Sequence, residues 1–219
     1  MPQSLPVTWV QRLTLADAVP ALLALAAGRD RAIVGITGPP GAGKSTAAAA
    51  LAAACAVRGV PTVVVPMDGF HLSQSVLDTR GWAPVKGAPH TFDAAGYAAL
   101  LARIRIERGQ SVWAPNFERA LEDPVAGSIE VPPGTRLVLT EGNYLLLPTD
   151  PWSRLPGLLD AIWYADTPDA RRHDWLVARR VQFGDSVQEA TGRALGSDER
   201  NAELVRSTRD RADALLQVE

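Results

Sequence analysis

The sequence predicts an α/β fold, a three-layer α/β/α sandwich built on a mostly parallel sheet. Two observations carry this. Short β-rich runs alternate with helical stretches along the 219 residues, the pattern of strands joined by crossover helices. The clearest strands are also apolar on both faces, as strands buried between two helical layers must be.

Taken in order, residues 15–27 read as a leading helix. Residues 32–37 are the first strand, carried by Ala32, Ile33, Val34 and Ile36. A helix over 43–58 follows and stops at Gly59, since Gly ends helices readily. The second strand covers 60–67 around Val63-Val64-Val65, with Pro66 near its end. Residues 80–91 contain Gly81, Pro84, Gly87 and Pro89 and read as a long loop of the kind that forms lids or binding surfaces. Asp93 caps a predicted helix that runs to Arg108 and ends at Gly109. Residues 112–114 and 129–131 are short strands, the second at an edge. A third buried strand covers 136–140 and a fourth 160–165. Pro168 opens a helix to about residue 183. Ser197 caps a last helix, and 215–218 is either a terminal strand or a helix end.

Composition narrows the function classes. The chain is 47% hydrophobic and 21% charged, ordinary for a globular domain, and its length suits one domain over residues 1–219. The net charge of -2 comes without clustered Lys and Arg, so no nucleic-acid partner is expected. The apolar run 19–27 is too short to span a bilayer and lies between Asp17 and Arg29. Residues 1–12 lack the pattern of a signal peptide. The expectation is no membrane partner and a cytoplasmic location. Cys55 is the single cysteine, which rules out an internal disulfide and predicts a packed core residue.

The run Gly38-Pro39-Pro40-Gly41-Ala42-Gly43-Lys44-Ser45 fits the phosphate-binding loop G-x-x-x-x-G-K-[ST] and stands between a strand and a helix, as that motif requires. Gly41 and Gly43 let the backbone bend and turn its N–H groups inward. Those groups, at a helix N-terminus, bind phosphate oxygens. Lys44 supplies a point charge for the β- and γ-phosphates, and the Ser45 hydroxyl can ligate Mg²⁺. Residues 38–46, Thr46 included, therefore form the expected ATP site. Thr46 also stands where a dinucleotide fingerprint would need its last Gly. No Asn-Lys pair is present to read guanine. The fold expectation becomes that of a P-loop NTPase, with a small helical lid at about 168–196.

Two acids end strands beside this loop. Asp68 follows the second strand, and Glu141 closes Leu137-Val138-Leu139-Thr140. Ligands of open α/β sheets bind beyond the carboxyl ends of the strands, so both acids should converge near the γ-phosphate. Asp68 is placed to orient or deprotonate an acceptor hydroxyl. Glu141 can hold Mg²⁺ or bind the acceptor. A solvated loop carboxylate or a helix cap is the competing reading of each acid.

The segments Gly35-Ile36-Thr37-Gly38, Met67-Asp68-Gly69-Phe70-His71, Lys86-Gly87-Ala88-Pro89-His90-Thr91-Phe92-Asp93 and Thr140-Glu141-Gly142-Asn143-Tyr144-Leu145-Leu146 carry a resemblance. With the Arg-bearing helix 171–180, they resemble the uridine kinase, phosphoribulokinase and type I pantothenate kinase group of P-loop kinases. The run from Glu141 to Leu146 is most similar to its bacterial nucleoside/nucleotide kinase-like, fructose-transport-system kinase-like branch. The resemblance implies catalytic roles for Asp68 and Lys44, support of Mg²⁺ or acceptor by Glu141, and lid arginines that neutralise the transferring phosphate. Relatives of this kind are often dimers, so a homodimer is a candidate assembly.

Arg172 and Arg179 are favoured for the phosphates, being seven residues apart and on one helix face. A solvated basic face paired with Asp169 or Asp174 is the alternative. On the acceptor side, Asp68, Phe70, His71, Lys86, His90, Phe92, Arg119, Glu141 and Tyr144 are the candidate contacts. Lys86 and Arg119 suit an anionic acceptor, and Phe92 and Tyr144 suit pocket walls. The stretch between Trp113 and Pro124 departs from the uridine kinase pattern, so substrate identity does not carry over. The expected function is transfer of the ATP γ-phosphate to an alcohol of a nucleoside-, sugar- or pantothenate-like molecule. The alternative is an ATP-hydrolysing switch or assembly factor without an acceptor.

Overall fold

The computed structural model describes residues 10–218. Among them are eight strands: β1 (Gln11–Leu13), β2 (Ala32–Thr37), β3 (Thr62–Pro66), β4 (Val112–Glu118), β5 (Asp123–Val131), β6 (Leu137–Gly142), β7 (Ala161–Asp166) and β8 (Ala214–Gln217). The α-helices are α1 (Leu15–Ala27), α2 (Lys44–Val57), α3 (Gln74–Thr79), α4 (Ala94–Ile106), α5 (Asp169–Gln182), α6 (Val187–Ala194) and α7 (Ser197–Arg206). Six strands form one sheet in the order β1-β8-β7-β2-β6-β3, and every neighbouring pair runs parallel. Strands β4 and β5 form a separate antiparallel hairpin.

The two-residue period of a strand divides the sheet's side chains between two cores. Val34 and Ile36 of β2 and Leu137 and Leu139 of β6 pack with Leu22 of α1 and Leu51 and Cys55 of α2. Ile33 and Val138, one residue out of phase, pack with Tyr97, Leu101 and Ile104 of α4. The three layers follow from this alternation, and Cys55 lies in the core as its surroundings predict.

Tyr97 is fully buried and its hydroxyl bonds Thr140 Oγ1. Thr140 Oγ1 in turn donates to the Val65 carbonyl at 2.6 Å. This chain ties α4 to β6 and β3 just below the acids those strands carry. Burial holds the Tyr97 phenol well above its ordinary pKa, so it stays a proton donor throughout the physiological range.

Several elements depart from the sequence expectations. The hairpin is longer than residues 112–114 and 129–131 suggest, and it is not an edge of the main sheet. Residues 125–128 of β5 are exposed and include Gly127 and Ser128, so the strand lacks the clean apolar alternation of a half-buried strand. Strand β1 was not expected and pairs with β8, which settles the ambiguous C-terminal segment as a strand. Helices α3 and α6 are short and were missed. α7 starts at Ser197 with Gly196, not Ser197, in the cap position and without a side-chain cap. Asp93 does cap α4, accepting from Gly96 N at 2.8 Å. No helix of the described residues is long and apolar enough to cross a membrane.

At the edge of the sheet where the strands begin, Arg31 is 2% exposed. Its five N–H donors meet five carbonyls: Thr135 at 3.0 Å, Ile104 at 2.7 Å, Glu107 at 3.2 Å, and Pro132 and Pro133 at 3.1 Å. The cation satisfies the C-terminal end of α4, where carbonyls lack partners and the helix dipole favours positive charge. Arg31→Met is expected to strand these acceptors and cost about 2–4 kcal/mol. The measurement is urea unfolding, with a lower midpoint at unchanged slope. Nucleotide binding by the folded fraction should not change, because the Gly38–Ser45 loop lies at the other end of the strands.

Candidate active site

Strand β2 lies between β6 and β7, and its C-terminal end leads into the Gly38–Ser45 turn. The backbone turns through Gly41 at φ 79°, a conformation few L side chains adopt. A Cβ there would also stand 2.8 Å from the Arg172 carbonyl and 2.6 Å from Leu176 Cγ. Helix α5 therefore presses directly on the loop. Gly43 occupies the N-cap position of α2, and Thr167 Oγ1 donates to the Ala42 carbonyl at 3.0 Å.

The register sets the acids. Glu141 stands opposite Ile36 of β2 and Pro66 of β3, and Asp68 follows two residues after Pro66 in the turn Met67–Phe70. Ser45 Oγ donates to Glu141 Oε1 at 2.8 Å. Lys44 Nζ donates to the Pro39 carbonyl at 3.0 Å and to Asn143 Oδ1 at 2.7 Å. Burial pulls the Lys44 ammonium down to about 8, although Glu141 and Asp68 oppose the shift. Burial, then the charge of Asp68, pushes the Glu141 carboxyl up, against Lys44 and the Ser45 hydrogen bond. The Asp68 side chain is half-buried and has no hydrogen-bond partner among the described residues. Its backbone carbonyl accepts from His71 N at 3.2 Å and pairs with His71 Nδ1 at 2.8 Å, which fixes the turn. Ser45, Glu141 and Asp68 are hard oxygen donors of the kind Mg²⁺ takes beside phosphate.

The turn carrying Asp68 is clamped by the hairpin. A Cβ on Gly69 would clash with the Pro115 carbonyl, so only Gly lets β4 approach this closely. Phe70 packs on Tyr97 with ring centroids 5.1 Å apart.

Arg172 and Arg179 share a helix face but not a fate. The Arg172 side chain is fully buried. Its Nη1 donates to the Pro40 carbonyl at 3.1 Å and its Nε to Asp169 at 3.1 Å, and Nη2 meets Glu199. Glu199 also accepts from Arg206 at 2.6 Å. Burial would raise the Glu199 carboxyl, but its bonds with His173, Arg206 and Arg172 hold it at about 2. Arg172 thus braces the loop from behind, with all three nitrogens engaged by protein. Arg179 is exposed to the cleft, in the field of Arg119, Asp68 and Asp198.

The acceptor-side expectations divide. Lys86 Nζ is held by Gln74 Oε1 at 3.1 Å, the Glu122 carbonyl at 2.6 Å and the Glu122 carboxylate at 3.4 Å. It is a fastening between loop and hairpin. Phe92 and Tyr144 are not open pocket walls. They are buried, stack edge-on with each other and with Trp152, and Tyr144 donates to the Gly87 carbonyl at 2.5 Å. His90 is exposed and lies edge-on to Trp82. His71 packs on Phe92 and Phe117, and burial depresses its pKa. Arg119 follows β4 directly and lies 5.7 Å from the ring of Phe183. Its field reaches Glu141.

Sequence reasoning missed Asn143, although it stands inside the Glu141–Leu146 run. It also missed a cavity of about 410 Å³ on the far side of the loop, lined by Arg12, Thr167, Arg171, Gln217 and others. Val218 closes on the loop there: a Cβ on Gly43 would meet Val218 Cγ1 at 2.7 Å.

No family model matches the chain. Individual relatives do. A Schizosaccharomyces pombe protein provisionally named a uridine kinase is 34% identical over 197 residues, covering 86% of this chain and 84% of its own. The ATP-dependent kinase-like protein notR' of Aspergillus versicolor is 35% identical over 147 residues, covering 63% of this chain and 85% of its own. Among solved structures, one from Silicibacter sp. TM1040, provisionally named a fructose transport system kinase, superposes with a TM-score of 0.85. It is 38% identical and covers 94% of this chain and 100% of its own. With the phosphate loop and its flanking acids in place, these likenesses make the chain a member of the uridine kinase-like family of P-loop kinases, an ATP-using phosphotransferase.

Proposed function

We propose that the chain, as a single domain over residues 1–219, transfers the γ-phosphate of ATP to the hydroxyl of a small-molecule alcohol bound beside Asp68. The observation that supports this most is the unpartnered Asp68 carboxylate, held by its own turn beside Glu141 and Lys44. Residues 38–46 cradle the phosphates, and Lys44 exchanges its Asn143 and Pro39 contacts for phosphate oxygens. Ser45 and Glu141 would hold Mg²⁺, which would supply charge neutralisation for the phosphate oxygens. The cavity beside Val218 and Gln217 takes the nucleoside half of ATP.

In the transfer step Asp68 accepts the proton of the acceptor hydroxyl. The hydroxyl oxygen bonds to the γ-phosphorus as the bond to the ADP oxygen breaks. Arg179, on a lid covering about 168–196, balances charge on the transferring group, a contribution worth 10³ or more in related transfers. His71 donates through Nδ1–H to the Asp68 carbonyl and stays neutral, which leaves Nε2 as a hydrogen-bond acceptor.

Asp68→Asn is expected to lower acceptor-stimulated ADP formation by about 10²–10⁴-fold while ATP affinity changes less than about threefold. Coupled-enzyme turnover and nucleotide titration measure the two, and near-normal turnover would remove Asp68 from the chemistry.

A second expectation concerns pH. The free protein holds Lys44 with a pKa of about 8, and phosphate binding favours the ammonium. Below that pH the lysine is already charged and affinity is flat. Above it, binding must take up a proton, so ATP affinity should fall by up to tenfold per pH unit. Calorimetry in buffers of different ionisation enthalpy should show proton uptake at pH 8.5, and none at pH 6.5 from this group.

A further inference from the structure

Two arginines face the cleft without a carboxylate partner among the described residues, Arg119 and Arg179. Most other arginines around the site are committed. Arg172 is engaged by Asp169 and Glu199, Arg180 by Asp185 and Asp198, and Arg206 by Asp169 and Glu199. The acids near Arg119 are also turned elsewhere. Glu118 accepts from Ala120 N at 3.2 Å, Glu122 pairs with Lys86, and Asp123 accepts from Gln74 N at 2.6 Å. The hairpin therefore brings a free cation to the cleft and lets none of its own acids cancel it.

The two free charges stand on different elements. Arg179 lies on α5, the helix pressed against the phosphate loop at Gly41. Arg119 stands one residue past β4, whose Phe117 stacks on His71 at the end of the Asp68 turn, ring centroids 4.8 Å apart. The hairpin thus brings Arg119 to the Asp68 side of the site. Its position is not loose: β4 is packed onto the Asp68 turn at Gly69 and Pro115, and the guanidinium lies over Phe183 at the end of α5. Two like charges brought together in a cleft repel each other, and an anion between them relieves that cost. A single transferring phosphate already has Lys44 and Arg179. Of the other basic groups of the acceptor loops, Lys86 is paired with Glu122, His71 is neutral, and Arg80 lies over the ring of Trp82.

We propose that the acceptor is an anionic alcohol, whose carboxylate or phosphate is bound by Arg119 while its hydroxyl lies at Asp68. This rests on the transfer reading above. A guanidinium binds either anion through two parallel N–H bonds, so hydroxy acids and sugar phosphates share the recognising chemistry. A neutral nucleoside would leave Arg119 without a partner.

The test uses matched alcohols with and without the anionic group: glycerate against glycerol, pantothenate against pantothenol, and a hexose phosphate against the free hexose. Acceptor-stimulated ADP release is read with ATP and Mg²⁺. At least one anionic member is expected to exceed its neutral partner in kcat/KM by about 10–100-fold, and the pair that responds distinguishes carboxylate from phosphate. Arg119→Gln should then raise the KM for that acceptor by about the same factor, with a smaller change in kcat, and Arg119→Lys should recover part of it. Neutral alcohols that perform as well as their anionic partners would overturn the proposal and leave the kinase reading standing. A KM for ATP that rises in Arg119→Gln as far as the acceptor KM would assign Arg119 to the nucleotide, and would also overturn it. ADP release indifferent to every alcohol would count against transfer itself, and against this proposal with it.

Discussion

The parallel register of β6 between β2 and β3 is the constraint on which the site depends. It sets Glu141 opposite Ile36, the penultimate residue of the strand feeding the phosphate loop, and opposite Pro66, two residues before Asp68. Side chains alternate along a strand, so a slip of one residue would turn Glu141 to the other layer. Thr140 shows what holds the register. It faces α4 and closes the buried chain from Tyr97 to the Val65 carbonyl, while Glu141 faces α2 and meets Ser45. The two adjacent residues thus bind opposite layers, and the acid cannot move without breaking both contacts.

The electrostatics follow from that placement. Lys44 and Glu141 are both buried, and burial disfavours the charged form of each. The lysine is drawn down to about 8 and the carboxyl is pushed up, although their mutual attraction opposes both shifts. The free protein therefore holds a lysine and a carboxyl in a place that penalises the charged form of each. In the proposed reaction the triphosphate, with a divalent cation, would supply the missing opposite charges. A site of this form binds its nucleotide partly by relieving its own desolvation cost, which is why the affinity and the protonation of Lys44 are linked.

Much of this was legible in the sequence because the motifs are contiguous. The loop, Asp68 and Glu141 each lie next to an apolar strand, so strand direction alone brings them to one edge. What the sequence did not reveal depends on residues far apart in the chain. Lys86 looks free until Glu122, in the turn of the hairpin, is brought to it. Phe92 and Tyr144 look like pocket walls until Trp152 joins them in a buried cluster. The largely exposed hairpin strand β5 has no clean periodicity to announce it. Strand β1 is three residues long, and its partner lies near the other end of the chain.

Helix α5 illustrates why sharing a face does not mean sharing a role. Arg172 and Arg179 are two turns apart on one stripe, which places them about 10 Å apart along the axis. The N-terminal one meets the back of the phosphate loop at Pro40 and the acid of α7 at Glu199. Its guanidinium is saturated, and the close approach of Gly41 to the Arg172 carbonyl and Leu176 leaves the helix no room to shift toward the loop. The C-terminal one projects over the cleft, where the nearest carboxylates belong to the catalytic edge and α7. The helix is thus anchored at one end to the nucleotide loop and offers a charge at the other. Phe183, just beyond its last turn, meets Arg119 of the hairpin. The same helix that braces the phosphate loop thus also meets the hairpin, so whatever fixes α5 fixes the spacing between the loop and Arg119.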